Sequence, residues 1–253
     1  MGGSNPSSEQ SVLDDHFDVC ESFVPARDVE RVRRTEISFD GLLKEPLSLK
    51  EDLKEGCGGQ VWPAGMVLAR YLLRQHRFNF NNKTIVELGA GGGLVGLAVA
   101  RGCDLSSSSI YVTDQAPMLP LMETNIKLND LSTLVAATVL NWGERLPDCI
   151  PAHPAVILAA DCVYFEPAFP LLVSTLKDLL GPESICYFCF KRRRRADLRF
   201  MKLAKKLFNI EEVCDDPMAE TYKRENIYLY SIRSKSSKHF NKGQIETDNE
   251  GRG

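Results

Sequence analysis

Two carboxylates flank a run of glycines in this chain. Glu87 stands two residues before Gly89 in the segment IVELGAGGGLVGL, and Asp114 ends the next such segment, SIYVTD. Glycine lets a backbone turn sharply and lets a ligand approach where a Cβ would stand in the way. A helix that starts beside such a turn offers free N–H groups. An acid at the tip of the following strand can accept hydrogen bonds from both hydroxyls of a ribose. Glycine turn and acid together are chemistry for holding a nucleoside, although Asp114 alone also fits the cap of the helix that follows. A second reactive pair lies further on, where ADCVY sets Asp161 and Tyr164 three positions apart after an apolar run. The two tryptophans, Trp62 and Trp142, fall at the ends of expected elements. A flat ring there can pack on a base, and its face attracts a cation; plain rim packing is the other reading of each.

The glycines decide which nucleoside. Gly91, Gly93 and Gly96 match G-x-G-x-x-G, the dinucleotide fingerprint, but that fingerprint begins where the strand ends, at Gly89. Counted from Gly89, the third glycine position is Leu94. Glu87 instead fits the E-x-G-x-G-x-G pattern of adenosylmethionine-binding enzymes, in which a carboxylate near the turn serves the amino end of methionine. S-adenosyl-L-methionine is therefore the expected cofactor.

These residues need a sheet to position them. TIVEL (84–88), SIYVTD (109–114), LVAATVLNW (134–142), AVILAAD (155–161), SICYFCF (184–190) and IYLYSIR (227–233) read as strands, with a short one at NIEEV (209–213) and a preliminary one within 29–39. Helices are expected from Trp62 to Gln75 and over 94–102, 117–130, 169–181 and 195–208. Strands alternating with helices of this length imply parallel βαβ units. The expected fold is α/β, a Rossmann-like, seven-stranded, mostly parallel doubly wound sheet. Residues 1–25 and 234–253 are polar and expected to be disordered, leaving one domain over 26–233.

Composition narrows the function classes. A net charge of −3 gives no global reason for nucleic-acid or membrane binding, and no apolar run is long enough to span a bilayer. MGGSNPSSEQ lacks the apolar core of a secretory signal, and Pro6 stands where a myristoylation start needs Ser or Thr, so a cytoplasmic protein is expected. The eight cysteines are scattered, as reduced core thiols would be, and Cys186 and Cys189 should point to opposite faces of one strand. The four histidines show no ligand spacing, so no metal is expected. The run KRRRR (191–195) reads as a solvated turn, with steering of an acidic protein surface as its other use.

Taken together, VWPAG (61–65), the glycine loop, NW (141–142), ADCVY (160–164) and FKRRRRADLRF (190–200) resemble the eukaryotic seven-β-strand, family 16 protein-lysine methyltransferases, which include fungal elongation-factor enzymes. The resemblance covers residues 55–233. It implies a cofactor site of Trp62, Glu87, Gly89, Ala90, Gly91, Asp114, Trp142 and Ala160, with Asp161 and Tyr164 of the D-x-x-Y motif on the acceptor side. It further implies a protein substrate, an elongation factor among the candidates; a monomer is the default expectation. A methyltransferase acting on another nucleophile and a non-catalytic module of the same fold are the alternatives. Lysine is protonated in water, with a pKa near 10.4, so the site must favour the neutral amine and aim it at the methyl group. Asp161 is expected to orient that amine, and Tyr164 to wall its channel or hydrogen-bond it; core packing is the other reading of Tyr164.

Overall fold

The computed structural model describes residues 32–54 and 57–235. The tails expected to be disordered fall outside these residues, apart from Ser234, which closes the last strand, and Lys235. In chain order the elements are β1 (Val32–Ile37), β2 (Leu47–Asp52), α1 (Pro63–Gln75), β3 (Thr84–Leu88), α2 (Leu94–Gly102), β4 (Ser109–Asp114), α3 (Leu119–Leu128), β5 (Val135–Val139), β6 (Val156–Ala160), α4 (Phe169–Leu179), β7 (Ile185–Lys191), α5 (Arg195–Leu207), β8 (Phe208–Glu212), α6 (Ala219–Arg224) and β9 (Ile227–Ser234).

Seven strands form one sheet in the order β5-β4-β3-β6-β7-β9-β8. The five from β5 to β7 run parallel, and β9 runs antiparallel to both its neighbours. The chain winds outward from β3 to β5, then returns to lay β6 on the other side of β3. That reversal opens a crevice beyond the carboxyl ends of β3 and β6, where ligands of doubly wound sheets bind.

Both faces of the sheet are covered, so its central strands are nearly all apolar. Ile85, Val156, Leu158 and Cys189 pack with α1, α2 and α3, while Val86, Leu88, Ile157 and Cys186 pack with α4 and α5. The two cysteines thus separate to opposite faces, as an offset of three in a strand requires. The same alternation turns Glu87 towards the α2 side, next to Ile85's layer. Pro63 opens α1, where its fixed φ suits a helix and its missing N–H breaks no bond.

The structure departs from the sequence expectation at three elements. The preliminary strand shortens to β1 and stays out of the main sheet, pairing antiparallel with β2 in a separate hairpin. Neither β2 nor the six-residue α6 shows in the sequence pattern. In LSLKED the inward series Leu47, Leu49, Glu51 ends on a charge, and Glu51 is buried because Arg33 and Thr35 on β1 bond its Oε1.

Candidate active site

β3 ends and turns through Gly89, whose φ of +59° is left-handed. A Cβ there would come within 3.0 Å of the Trp142 ring and 2.9 Å of the Cys162 sulfur, so only glycine leaves the turn open. Gly91 also has a left-handed φ, +55°, and a Cβ on it would lie 2.2 Å from the Gly58 carbonyl. The lack of a side chain at 91 therefore serves the close approach of the segment that leads to Trp62.

Glu87 is buried beneath this turn. Its Oε2 accepts the Gly96 N–H of α2 at 2.7 Å. Burial pushes its pKa up to about 8, against the bonds from the Gly96 and Val95 amides that lower it. Asp114, at the tip of β4, accepts the Gly91 N–H on Oδ2 at 2.8 Å and the Gln115 N–H on Oδ1 at 2.7 Å. Burial raises its pKa too. Asp114 does not cap α3, whose N-cap is Met118 with no side-chain bond. This removes the plain reading of Asp114.

Asp161 follows β6 with a φ of +53°, a strained conformation for a residue with a side chain. Its N–H donates to the Cys189 carbonyl at 2.8 Å, so the strain is held by the neighbouring β7. Its Oδ1 accepts the Lys191 N–H at 2.9 Å, and both its oxygens meet Arg193, each at 3.1 Å. The Arg193 guanidinium also lies 5.2 Å from the centre of the Trp62 ring. Cys162 donates its thiol hydrogen to the Leu88 carbonyl at 3.3 Å, and burial keeps that thiol protonated. Tyr164 is 55% exposed beside Phe165 in the chain, which is 57% exposed. Ordinary core packing is therefore excluded for Tyr164.

All ten expected residues (Trp62, Glu87, Gly89, Ala90, Gly91, Asp114, Trp142, Ala160, Asp161 and Tyr164) line one cavity of about 870 Å³. That volume lies within the range of cofactor pockets. Glu51, Asn125 and Arg193 are among the further lining residues, and spacing did not reveal them. Glu51 Oε2 accepts the Val61 N–H at 3.0 Å, tying the hairpin to the segment that carries Trp62. Asn125 donates to the carbonyls of Gly92 and Lys50 at 2.9 and 3.1 Å, tying the glycine turn to the same hairpin. The i, i+4 pair of Asn125 in α3 and Asn129 at its C-cap was the available signal for the second of these. KRRRR forms an exposed turn after β7, as expected, and Arg193 within it also reaches the carboxylate at the neighbouring strand end.

The residues fit S-adenosyl-L-methionine. Among the described residues Glu87 and Asp114 have no ion pair, and both carboxyls line the cavity, where Asp114 can accept from a ribose diol. The same residues hold no group of three His, Cys, Asp or Glu side chains able to bind a metal, and no helix is long and apolar enough to cross a membrane.

Comparison with known proteins agrees with this geometry. Residues 42–207 match a family described as lysine methyltransferase. The chain is 37% identical over 233 residues to the protein-lysine N-methyltransferase EFM6 of Saccharomyces cerevisiae, covering 83% of this chain and 94% of that one. It is 29% identical to the protein N-lysine methyltransferase METTL21A of Danio rerio over 86% of this chain and 95% of that one. It is 31% identical to the EEF1A lysine methyltransferase 3 of Mus musculus over 70% and 73%. The solved T. thermophilus 16S rRNA N2 G1207 methyltransferase RsmC, in complex with AdoMet and guanosine, is similar with a TM-score of 0.55 at 15% identity, over 81% of this chain and 50% of that one. The pyocyanin biosynthetic protein PhzM gives 0.51 at 12%, over 66% and 54%. At those identities the likeness to the solved structures is one of fold.

Proposed function

The chain belongs to the lysine methyltransferase family and is an S-adenosylmethionine-dependent protein-lysine N-methyltransferase; on that premise we propose which residues divide the work. Asp114 holds the ribose hydroxyls. Glu87 serves the methionine end through the α2 amides it engages. The backbone of Gly89, Ala90 and Gly91 runs along the nucleoside, with Trp142 on the adenine. Trp62 and Ala160 border the sulfonium end, and the Trp62 ring face suits a cation. Asp161 accepts a hydrogen bond from the entering lysine amine, and Tyr164 walls its channel. The observation that carries this reading is the meeting of all ten side chains and backbones in one cavity at the sheet's switch point.

Bound adenosylmethionine supplies an electrophilic methyl group on a cationic sulfur. The protein's part is to hold the amine in line with that methyl, and positioning of this kind is where most of an enzyme's contribution to displacement lies. The amine must first lose its proton to water.

The substrate we propose is elongation factor 1A, in the cytoplasm, acted on by a monomeric enzyme. The name of the mouse relative supports the substrate. Purified elongation factor 1A, incubated with the enzyme and tritiated adenosylmethionine, is expected to carry label on a lysine. Asp161→Ala is expected to cut that transfer by about 100-fold or more while adenosylhomocysteine affinity stays within about two-fold. Label on an N-terminus or histidine would overturn the reading, and equal loss of affinity would move Asp161 to the cofactor side.

A further inference from the structure

Arg193 is absent from the division of work given above, yet it makes the closest side-chain contacts with Asp161. Its two terminal nitrogens each sit 3.1 Å from one Asp161 oxygen, and the Asp161 side chain is 5% exposed. We propose that Arg193 sets the protonation state of the acceptor lysine: it cancels the charge of Asp161, so the carboxylate orients the amine without holding it as ammonium. This rests on the reading of Asp161 as the amine's partner.

A lone carboxylate within about 4–6 Å raises an amine's pKa by about 1–3 units. A lysine lying against an unpaired Asp161 would keep its proton, and an ammonium has no lone pair to attack with. A guanidinium stays charged throughout the working pH range. Paired with it, Asp161 still offers an oxygen lone pair to an N–H, but the guanidinium opposes its pull on an ammonium. Arginine suits this better than lysine, because its planar fork engages both oxygens and fixes the carboxylate plane. The step then balances. The ammonium proton has gone to water, the amine lone pair forms the new N–C bond, and the C–S pair leaves with sulfur as S-adenosylhomocysteine. The product nitrogen carries the positive charge.

Other charges stand on the elements packed against this pair. On the β7 exit, Arg192 lies over the Tyr228 ring at 4.8 Å, and Lys191 bonds Asp161 through its backbone. At the start of α5, Asp197 accepts the Arg193 N–H at 2.8 Å, while Arg194 meets Asp197 and the Tyr164 carbonyl. After β6, the Cys162 thiol is protonated. In the hairpin, Glu51 is paired with Arg33. Glu87 and Asp114 line the far wall and are constant across the variants below.

A square of four proteins tests this: wild type, Arg193→Gln, Asp161→Asn and the double variant. The readout is tritium transfer into lysine in a lysate of cells lacking the enzyme, from pH 6 to 10. Arg193→Gln should move the acid limb of the rate up by about 1 unit or more, an approximately ten-fold loss at pH 7 that shrinks to within about three-fold near pH 9.5. Asp161→Asn should move the limb down at a lower plateau. The double variant carries no unpaired buried charge, so its folding is not at risk from one, and its limb should return to the wild-type pH. Arg192→Gln, with the same loss of charge, should leave the limb in place. A loss by the same factor at every pH, with melting temperature and adenosylhomocysteine affinity unchanged, would make Arg193 merely structural and overturn the proposal. No labelled lysine with wild type would instead overturn the reading of Asp161, and the proposal with it.

Discussion

Single carboxylates carry the site, and their surroundings set what each can do. Glu87 titrates near 8 in the fold against 4.5 in the unfolded chain, because it is buried with only amide donors. The folded state therefore binds this proton more tightly. The stability it contributes is full below pH 4.5 and is lost as pH rises to about 8. Melting temperatures of the cofactor-free protein across that window should fall less steeply for Glu87→Gln than for wild type; identical slopes would contradict the burial argument. For Asp114, replacement by Asn keeps the shape and removes the charge and an acceptor. Calorimetry should find adenosylhomocysteine bound about ten-fold or more weaker, the worth of a lost charged hydrogen bond. Of the candidate residues, Ala90, Ala160 and the places of Trp62, Trp142 and Tyr164 needed the family resemblance, whereas Glu87, Gly89, Gly91, Asp114 and Asp161 were legible from strand ends and the glycine frame. Arg193 was not, since five consecutive cations offer no spacing that singles one out, and only the register of β7 beside β6 aims it.

Elements were legible where apolar periodicity runs unbroken. The central strands are buried on both faces and announce themselves as apolar runs. β2 hides because a compensated Glu51 takes an inward place and because its outer edge is satisfied by side chains. Asn129 pairs with the Ser48 N–H and carbonyl at 2.9 and 2.7 Å, and Asn125 with those of Lys50 at 2.8 and 3.1 Å, so one face of α3 stands in for a neighbouring strand. The hairpin, the glycine turn and Trp62 are thus tied through two polar side chains. Asn125→Ala strands the Lys50 and Gly92 backbone groups, and should cost about 1–3 kcal/mol on denaturation. Hydrogen exchange should then quicken in β2 and in the glycine turn together; quickening in β2 alone would deny the coupling. Gly91→Val should lower cofactor affinity by displacing the Gly58 segment, with adenosylhomocysteine-induced stabilisation largely lost in a thermal melt.

At the scale of the molecule, the winding order places the site. β3 and β6 are neighbours in the sheet but far apart in sequence, so the glycine turn and the D-x-x-Y motif meet only once the chain reverses between β5 and β6. Alternating strands and helices made a doubly wound, mostly parallel sheet readable in advance, whereas its strand order, and the pairing of the expected preliminary strand with β2 outside the main sheet, were not. Of eight large apolar side chains exposed on the described surface, Tyr164, Phe165 and Leu171 line the cavity, where the proposed function seats the substrate lysine. Light scattering should accordingly report a mass near 28.3 kDa for the free enzyme, and a dimer would mean that these residues serve self-association. The most direct measurement is a crystal structure with S-adenosylhomocysteine. The ribose hydroxyls should lie on Asp114 and the sulfur should face the Asp161–Arg193 pair. A nucleoside bound elsewhere, or Asp161 bonded to the cofactor itself, would contradict the account.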